Sequence, residues 1–312
     1  MSIVSFERVL ITGARGFVGT YLVSALNHAF PDAVIYPLTR DEKPGYIQAD
    51  VADSVGMNNV ISRIQPDLVI HLAAQSAVVA QPYETWRVNA GGAIALAEAI
   101  ARHAPTATVL NISSSEVYGH SFLRGRANEE TETRPASVYG RSKITAEAIF
   151  SDILSSTNRL IHVRPFNHTG PGQDERFVVA SFAAQIARIE SGQAPASIKV
   201  GNLESRRDFL DVRDVVRAYI ALLTQVAHLP MRGVFNICSG QNIQIREILD
   251  VLLSCALVPI AVEQDPTRLR PSDIPVADGD CQKLREVTGW SPAIAFRQTL
   301  VDILEHYRAI KR

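Results

Sequence analysis

The chain has 312 residues, 46% hydrophobic and 20% charged, with a formal net charge of −1 at pH 7. That length supports a main core and a smaller second lobe, and the near-neutral balance with no long basic block argues against nucleic acid or a membrane surface as partner. No apolar run is long enough to span a bilayer, and the N-terminus enters a strand without a signal-peptide pattern. The three cysteines, Cys238, Cys255 and Cys281, are spread out with no Cys/His cluster. No metal site is expected, and the thiols should be reduced and structural in a cytoplasmic protein.

Arg8 to Thr12 reads as a short buried strand that meets Gly13-Ala14-Arg15-Gly16-Phe17-Val18-Gly19. Beyond it Phe17, Val18, Tyr21, Leu22, Ala25 and Leu26 recur at helical spacing. Glycines after a strand and opening a helix let the backbone turn tightly and approach a pyrophosphate, which sits on the helix N-terminus. The spacing is G-x-x-G-x-x-G, and three glycines in register favour dinucleotide binding over a merely structural turn. The strand 33–38 ends in Thr39-Arg40-Asp41. An acid at this strand end holds an adenosine ribose diol and favours NAD, whereas an arginine accommodates a 2′-phosphate. Arg40, helped by Arg15, points to NADP(H), and Asp41 keeps NAD(H) open.

Residues 46–51 read as extended and end in Asp50-Val51, a pair suited to an adenine edge; a helix is expected around Val60 to Ile64. Asp67 to Ala74 reads as a strand entering a turn of small residues, Leu72, Ala73 and Ala74, where backbone can lie close to a cofactor. His71 within it reads as a satisfied near-core histidine. Asn89 opens a helix carrying Gly91, Gly92, Ala93, Leu96 and Ala97. Strands and helices alternating at this spacing predict a parallel, doubly wound α/β sheet.

Thr108 to Ile112 reads as another buried strand, followed by Ser113-Ser114-Ser115-Glu116-Val117-Tyr118-Gly119. Tyr139-Gly140-Arg141-Ser142-Lys143 then opens a helix, with Tyr139 and Lys143 at i and i+4 on one face. A free phenol, with a pKa of roughly 10, is a poor proton relay at neutral pH. A nearby ammonium favours the phenolate and is expected to lower that pKa. Ser114 at the strand end can hold the same substrate oxygen. The chemistry implied is proton transfer at an alcohol or ketone oxygen while hydride moves elsewhere. Tyr-x-x-x-Lys recurs by chance, and the glycine turn is what lifts this occurrence.

Leu160 to Arg164 is a strand, and Pro165-Phe166-Asn167-His168-Thr169-Gly170-Pro171-Gly172-Gln173 is a Pro/Gly-rich loop where ligands bind in such sheets. An amphipathic helix is expected from Phe177 to Ile189, a short strand over 198–201 and a helix from Val215 to Leu223. The charge run 206–214 is interrupted by Phe209, Leu210 and Val212, so part of it must point inward. Residues 233–238 return to the main sheet. The expected division is a dinucleotide-binding domain over 1–169, rejoined by 205–240, and a substrate lobe from 170–204 and 241–312.

With glycine turn, strand-end serine and Tyr/Lys helix in this order, the chain resembles the extended short-chain dehydrogenase/reductases, the NAD-dependent epimerase/dehydratase family acting on nucleotide-sugars. The resemblance implies a Rossmann-type fold and a catalytic set in which Tyr139 is the acid/base, Lys143 lowers its pKa and holds the nicotinamide ribose, and Ser114 positions the substrate oxygen. It implies cofactor contacts from Gly13, Arg15, Gly16, Phe17, Val18, Gly19, Arg40, Asp50, Val51, Leu72, Ala73, Ala74 and Pro165, besides Tyr139 and Lys143. Substrate contacts are implied for Ser115, Asn167, Arg207 and Arg270, with Arg268 able to exchange roles with Arg270. It also implies a homodimer built from two helices of each subunit, here around Gly91 to His103 and Ser142 to Leu154.

Within that family, residues 164–173, 205–214 and 236–241 look most like the branch of GDP-6-deoxy-D-mannose reductases, which reduce the 4-keto group of GDP-4-dehydro-6-deoxy-D-mannose to GDP-D-rhamnose. A reductase giving the C4 epimer, GDP-6-deoxy-D-talose, would share most of these motifs. Ser114-Ser115-Glu116 also matches the GDP-mannose 4,6-dehydratases, which makes Glu116 a candidate catalytic base under that alternative. The short chain and the missing paired arginines after the second strand favour the reductase. A non-catalytic nucleotide sensor on the same fold is the reading of another class; the presence of serine, tyrosine and lysine together speaks against it.

Overall fold

The computed structural model describes residues 5–76, 81–268 and 274–310. The first part of the chain forms β1 (Arg8–Thr12), α1 (Phe17–Ala29), β2 (Val34–Thr39), β3 (Ile47–Gln48), α2 (Ser54–Ile64), β4 (Leu68–His71), the short α3 (Pro82–Thr85), α4 (Gly92–His103), β5 (Thr108–Ile112), α5 (Val138–Ile153) and β6 (Arg159–Pro165). It continues as β7 (Asn167–Thr169), α6 (Val178–Glu190), β8 (Ser197–Val200), β9 (Arg206–Asp211), α7 (Val212–Thr224), β10 (Arg232–Ile237), β11 (Asn242–Gln244), α8 (Ile245–Ser254), β12 (Ala261–Gln264), β13 (Val276–Ala277), α9 (Gln282–Thr288) and α10 (Phe296–Ile310).

Seven parallel strands run in the order β10-β6-β5-β4-β1-β2-β3. The chain builds outward from β1 to β3, then returns past β1 to build β4, β5 and β6 on the other side. That reversal opens a crevice at the carboxyl ends of β1 and β4, where ligands bind in doubly wound sheets. Side chains alternate across a strand, so Val9 and Ile11 fall in one core with α1 and α7 while Leu10 falls in the other with α2, α4 and α5. Burying each such Val, Leu or Ile contributes about 1.5–3 kcal/mol, which explains why the central strands are apolar on both faces.

The smaller layer holds β11-β9-β13, with β7 paired to β9, and the two-stranded β12-β8. A third core gathers Phe182, Ile186, Phe209, Leu249, Leu252 and Ile303 from α6, β9, α8 and α10. β9 lies in this layer and hands the chain to α7, which packs on α1. Two tyrosines anchor the loop between β7 and α6. Tyr21 of α1 donates to the Pro171 carbonyl at 2.7 Å, and Tyr307 of α10 donates to the Gln173 carbonyl at 2.6 Å. Among the described residues no helix is long and apolar enough to cross a membrane.

Several elements differ from the sequence expectation for local reasons. The stretch 46–51 is a strand only over Ile47–Gln48, because Asp50 turns back to accept from the Ala52 amide at 2.9 Å and Asp53 caps α2. Asn89 does not open a helix: it lies inside a π-helical stretch, Trp86–Gly91, that runs directly into α4, and its amide donates to Ser142 Oγ at 2.9 Å. α7 begins at Val212 because Asp211 accepts from the Arg213 amide.

Gly119 ends the segment 113–119 with φ 49° and ψ −118°, and an added Cβ would run into the Arg134 carbonyl. A non-glycine residue in such a conformation costs about 1–3 kcal/mol before any clash. Gly119→Ala should therefore lower stability by about 2 kcal/mol or more, read as a drop in denaturant midpoint. An unchanged midpoint would contradict the described turn.

Candidate active site

The candidate catalytic segment leaves β5 at the carboxyl edge of the sheet. The Ser113 amide still donates to the Val163 carbonyl, so the strand end is pinned for one further residue. Ser114 is extended and its Oγ accepts from the Glu116 amide at 3.1 Å, capping a short turn over Ser115–Val117. Ser137 caps α5 by accepting from the Gly140 amide at 2.9 Å, and its hydroxyl donates to Glu116 Oε2 at 2.7 Å. A Cβ on Gly140 would lie 2.5 Å from the Glu116 carbonyl oxygen, so the helix approaches the turn this closely only with glycine there.

α5 then presents Tyr139, Lys143 and Glu147 one turn apart. The Ser114 hydroxyl lies close enough to the Tyr139 phenol to favour its ionised form. Lys143 is 4% exposed; its Nζ lies 5.9 Å from the Tyr139 ring centroid and donates to the Ile112 carbonyl at 2.6 Å. Burial pulls Lys143 down to about 8, with Glu147 acting in the opposite direction. The expected lowering of the Tyr139 pKa is not what the structure has. Burial, then the Glu116 carboxylate, push the phenol above its ordinary value, and only the Ser114 hydroxyl acts the other way. The physical reason is placement: the ammonium points at a backbone carbonyl rather than at the phenol oxygen.

Beneath these groups lies a buried polar chain that sequence reasoning missed. Glu147 accepts from Arg164 Nε at 3.0 Å and Nη2 at 2.7 Å, and also from the Ser113 hydroxyl. Arg164 Nη1 donates to the Tyr118 hydroxyl at 3.1 Å, which in turn donates to Asn236 Oδ1 at 2.7 Å. The signal was present as a glutamate four residues past Lys143 on the inward face of a helix. On the far side His71, buried and held near 3 by burial and then by Lys143, pairs its Nδ1 with Thr12 Oγ1 at 2.8 Å.

The glycine turn fits a dinucleotide. Gly13 has φ 69°, and a Cβ there would lie 2.7 Å from the Ala73 amide nitrogen, so this turn and the Leu72-Ala73-Ala74 turn touch. Gly16 is the N-cap of α1 without a side-chain cap or an acidic residue in the first turn, which leaves the helix N-terminus suited to an anion. Phe17 stacks parallel to His168 with centroids 6.5 Å apart, and Val18 is half-buried beside it. At the end of β2, Asp41 pairs with Arg15 at 3.2 Å and Arg40 at 3.7 Å, all three exposed. Asp50 is engaged by Arg87 at 2.9 Å; against the burial that would raise it, the Ala52 amide and Arg87 hold its carboxyl below the ordinary range. Val51 is buried under Gly92 of α4. Pro165 is buried at the end of β6, and Phe166 packs inward on Tyr118 and Phe122.

A cavity of about 720 Å³ opens between the two layers. Ser115, Glu116, Asn167 and Arg207 line it, and it ends at Ser115, Glu116 and Ser137, the residues flanking Ser114 and Tyr139. Arg207 donates to the Arg206 carbonyl at 2.8 Å and the Pro275 carbonyl at 3.3 Å; burial lowers its pKa and Glu116 opposes that. Arg270 lies outside the described residues. Arg268 lines the wall, donating to Ser181 Oγ at 3.2 Å, and so do Arg176 and Lys199, which sequence reasoning did not single out.

Comparison with known proteins agrees with this geometry. The family model described as GDP-mannose 4,6 dehydratase matches residues 10–303. GDP-6-deoxy-D-mannose reductase of Pseudomonas aeruginosa is 34% identical over 308 residues, covering 97% of this chain and 98% of that protein. The solved structure of RMD from Pseudomonas aeruginosa complexed with NADPH superposes with a TM-score of 0.83 at 33% identity, over 97% of this chain and 99% of the other. MoeE5 in complex with UDP-glucose and NAD gives 0.83 at 26% identity, over 98% and 100%. The chain therefore belongs to the GDP-mannose 4,6 dehydratase family of extended short-chain dehydrogenase/reductases.

Proposed function

We propose that this chain reduces the 4-keto group of GDP-4-dehydro-6-deoxy-D-mannose with NADPH, giving GDP-D-rhamnose. The observation that carries this reading is Tyr139 beside Ser114 and Lys143 at the end of the cavity, placed to act on a substrate oxygen. A neutral phenol is an acid, and the alkoxide formed from a ketone is basic enough to take its proton. Likeness to a GDP-6-deoxy-D-mannose reductase along nearly all of both chains supports the substrate.

In this reading Asn167, Ser115, Arg207 and Arg270 hold the nucleotide-sugar; Arg207 offers a planar fork suited to a diphosphate. When bound, the reduced nicotinamide supplies hydride to C4. Ser114 orients the ketone oxygen, Tyr139 donates its proton to the developing alkoxide, and Lys143, held on the Ile112 carbonyl one turn away, adds positive charge to the site. Gly13, Gly16 and Gly19 leave room for the pyrophosphate, and Arg40 with Arg15 favours the 2′-phosphate of NADPH over NADH. Leu72, Ala73, Ala74 and Pro165 border the cofactor. A homodimer through α4 and α5 belongs to the same proposal, and exposed Trp86 and Ile94 lie on that side of the chain.

A second reading, the GDP-mannose 4,6-dehydratase, is favoured by one observation: Glu116 reaches the same cavity. Under it Glu116 supplies the base that removes water across C5 and C6. The two are separated by mixing protein and NADPH with the keto-sugar, and protein with GDP-mannose without added cofactor. Loss of nicotinamide absorbance with the keto-sugar is the expected result, and product NMR assigns C4 as rhamnose or talose. Water loss from GDP-mannose without net NADPH consumption would establish the dehydratase instead.

Tyr139→Phe should lower kcat by about 10³-fold while leaving NADPH affinity within about twofold; near-wild-type turnover would sink the assignment. Arg40→Ala should raise the KM for NADPH about tenfold with little change for NADH, since a hydrogen bond to a charged group contributes about 1.5–3 kcal/mol. Equal effects on both cofactors would remove the preference for the 2′-phosphate. Sedimentation should give the mass of two chains, and a monomer at micromolar concentration would refute the dimer.

A further inference from the structure

We infer that Glu147 is a positioning residue for proton transfer: bonded to Ser113 and to Arg164 of β6, it holds α5 in register with the end of β5, where Ile112 and Ser114 meet Lys143 and Tyr139. This rests on the reductase reading of the same site.

The pairing is residue by residue. Ser114 lies beside Tyr139, Ile112 receives Lys143 Nζ at 2.6 Å, and Ser113 between them donates to Glu147. Any shift of Ser113 therefore moves both the hydroxyl that meets Tyr139 and the carbonyl that holds Lys143. Glu147 itself is 5% exposed, so a carboxylate in that position persists only with partners. Arg164 grips both of its oxygens from β6, and the Tyr118 ring lies 5.0 Å from the guanidinium carbon.

Two carboxylates lie near this face of α5: Glu116, at the start of the helix beside Tyr139 and bonded to Ser137, and Glu147, one turn past Lys143 and the one that acts on it. From β4 faces His71, neutral and held near 3. From β6 face Arg164, whose charge is matched to Glu147, and His162, held near 4 by burial and bonded to Asn111 at 2.9 Å. On α5 itself Tyr139 is a neutral phenol. Burial works to strip Lys143 of its proton, and Glu147 opposes it from one turn away. No ion pair joins the two among the described residues, so Glu147 acts through the field rather than by contact, leaving the ammonium on Ile112.

The test compares the wild type with Glu147→Gln, with the double variant E147Q/R164Q and with Ser113→Ala, measuring kcat/KM for keto-sugar reduction from pH 6 to pH 10 alongside thermal unfolding. Removing one partner of a buried pair is strongly destabilising; the double variant removes the charge without leaving a buried cation behind. The ammonium is needed, so wild-type turnover falls as pH rises through the Lys143 pKa near 8. Without the Glu147 charge that limb moves to lower pH, and Glu147→Gln loses about fivefold more activity at pH 8.5 than at pH 6.5, while the double variant, which removes the matched cation as well, moves the limb less in the same direction. Ser113→Ala keeps both charges and should lower kcat about tenfold at every pH, with the limb unmoved. A folded charge variant whose activity falls equally at all pH values overturns the electrostatic role, and wild-type kcat in Ser113→Ala overturns the register role. If both charge variants unfold, Ser113→Ala decides. Absence of turnover in the wild type would count against the functional reading, not against this one.

Discussion

The end of β5 held against α5 is the constraint on which the rest of the site depends. A strand end and a helix are both stiff, but two stiff elements still slide unless something sets their register. Here Ile112, Ser113 and Ser114 each engage one turn of the helix, and Gly140 lets the backbones approach closely enough for all three contacts at once. Every other part of the site is placed relative to this seam. The glycine turn of β1 faces it across β4, and the cavity of the smaller layer ends beside it.

The loop between β7 and α6 is one of the places where the two halves of the molecule meet. Phe17 at the start of α1 stacks on His168, Tyr21 holds the Pro171 carbonyl, and Tyr307 from α10 holds the Gln173 carbonyl. Asn167, at the start of the same stretch, faces the cavity. Loops that bind ligands are often mobile; this one has hydrogen-bonded anchors from both sides, which restricts where Asn167 can sit relative to the glycine turn.

Much of this was legible in the sequence because the signals were local. The strand-glycine-helix pattern at Arg8 to Leu26 and the i, i+4 spacing of Tyr139 and Lys143 need only the periods of strand and helix. What was not legible depended on contacts between distant segments. The direction in which Lys143 points is set by a carbonyl 31 residues away, so the shift of the Tyr139 pKa came out opposite to the expectation drawn from spacing alone. Arg164 read as the end of a strand, and nothing nearby in sequence marks Glu147 as its partner. Nothing nearby in sequence marks Arg87, 37 residues on, as the partner of Asp50.

The hydrogen bond from Ser137 to Glu116 has a wider meaning. It keeps Glu116, a carboxylate that lines the cavity, engaged with the cap of α5. A displacement of that cap would carry the carboxylate with it, so the start of α5 and the charge facing the cavity behave as one mechanical unit.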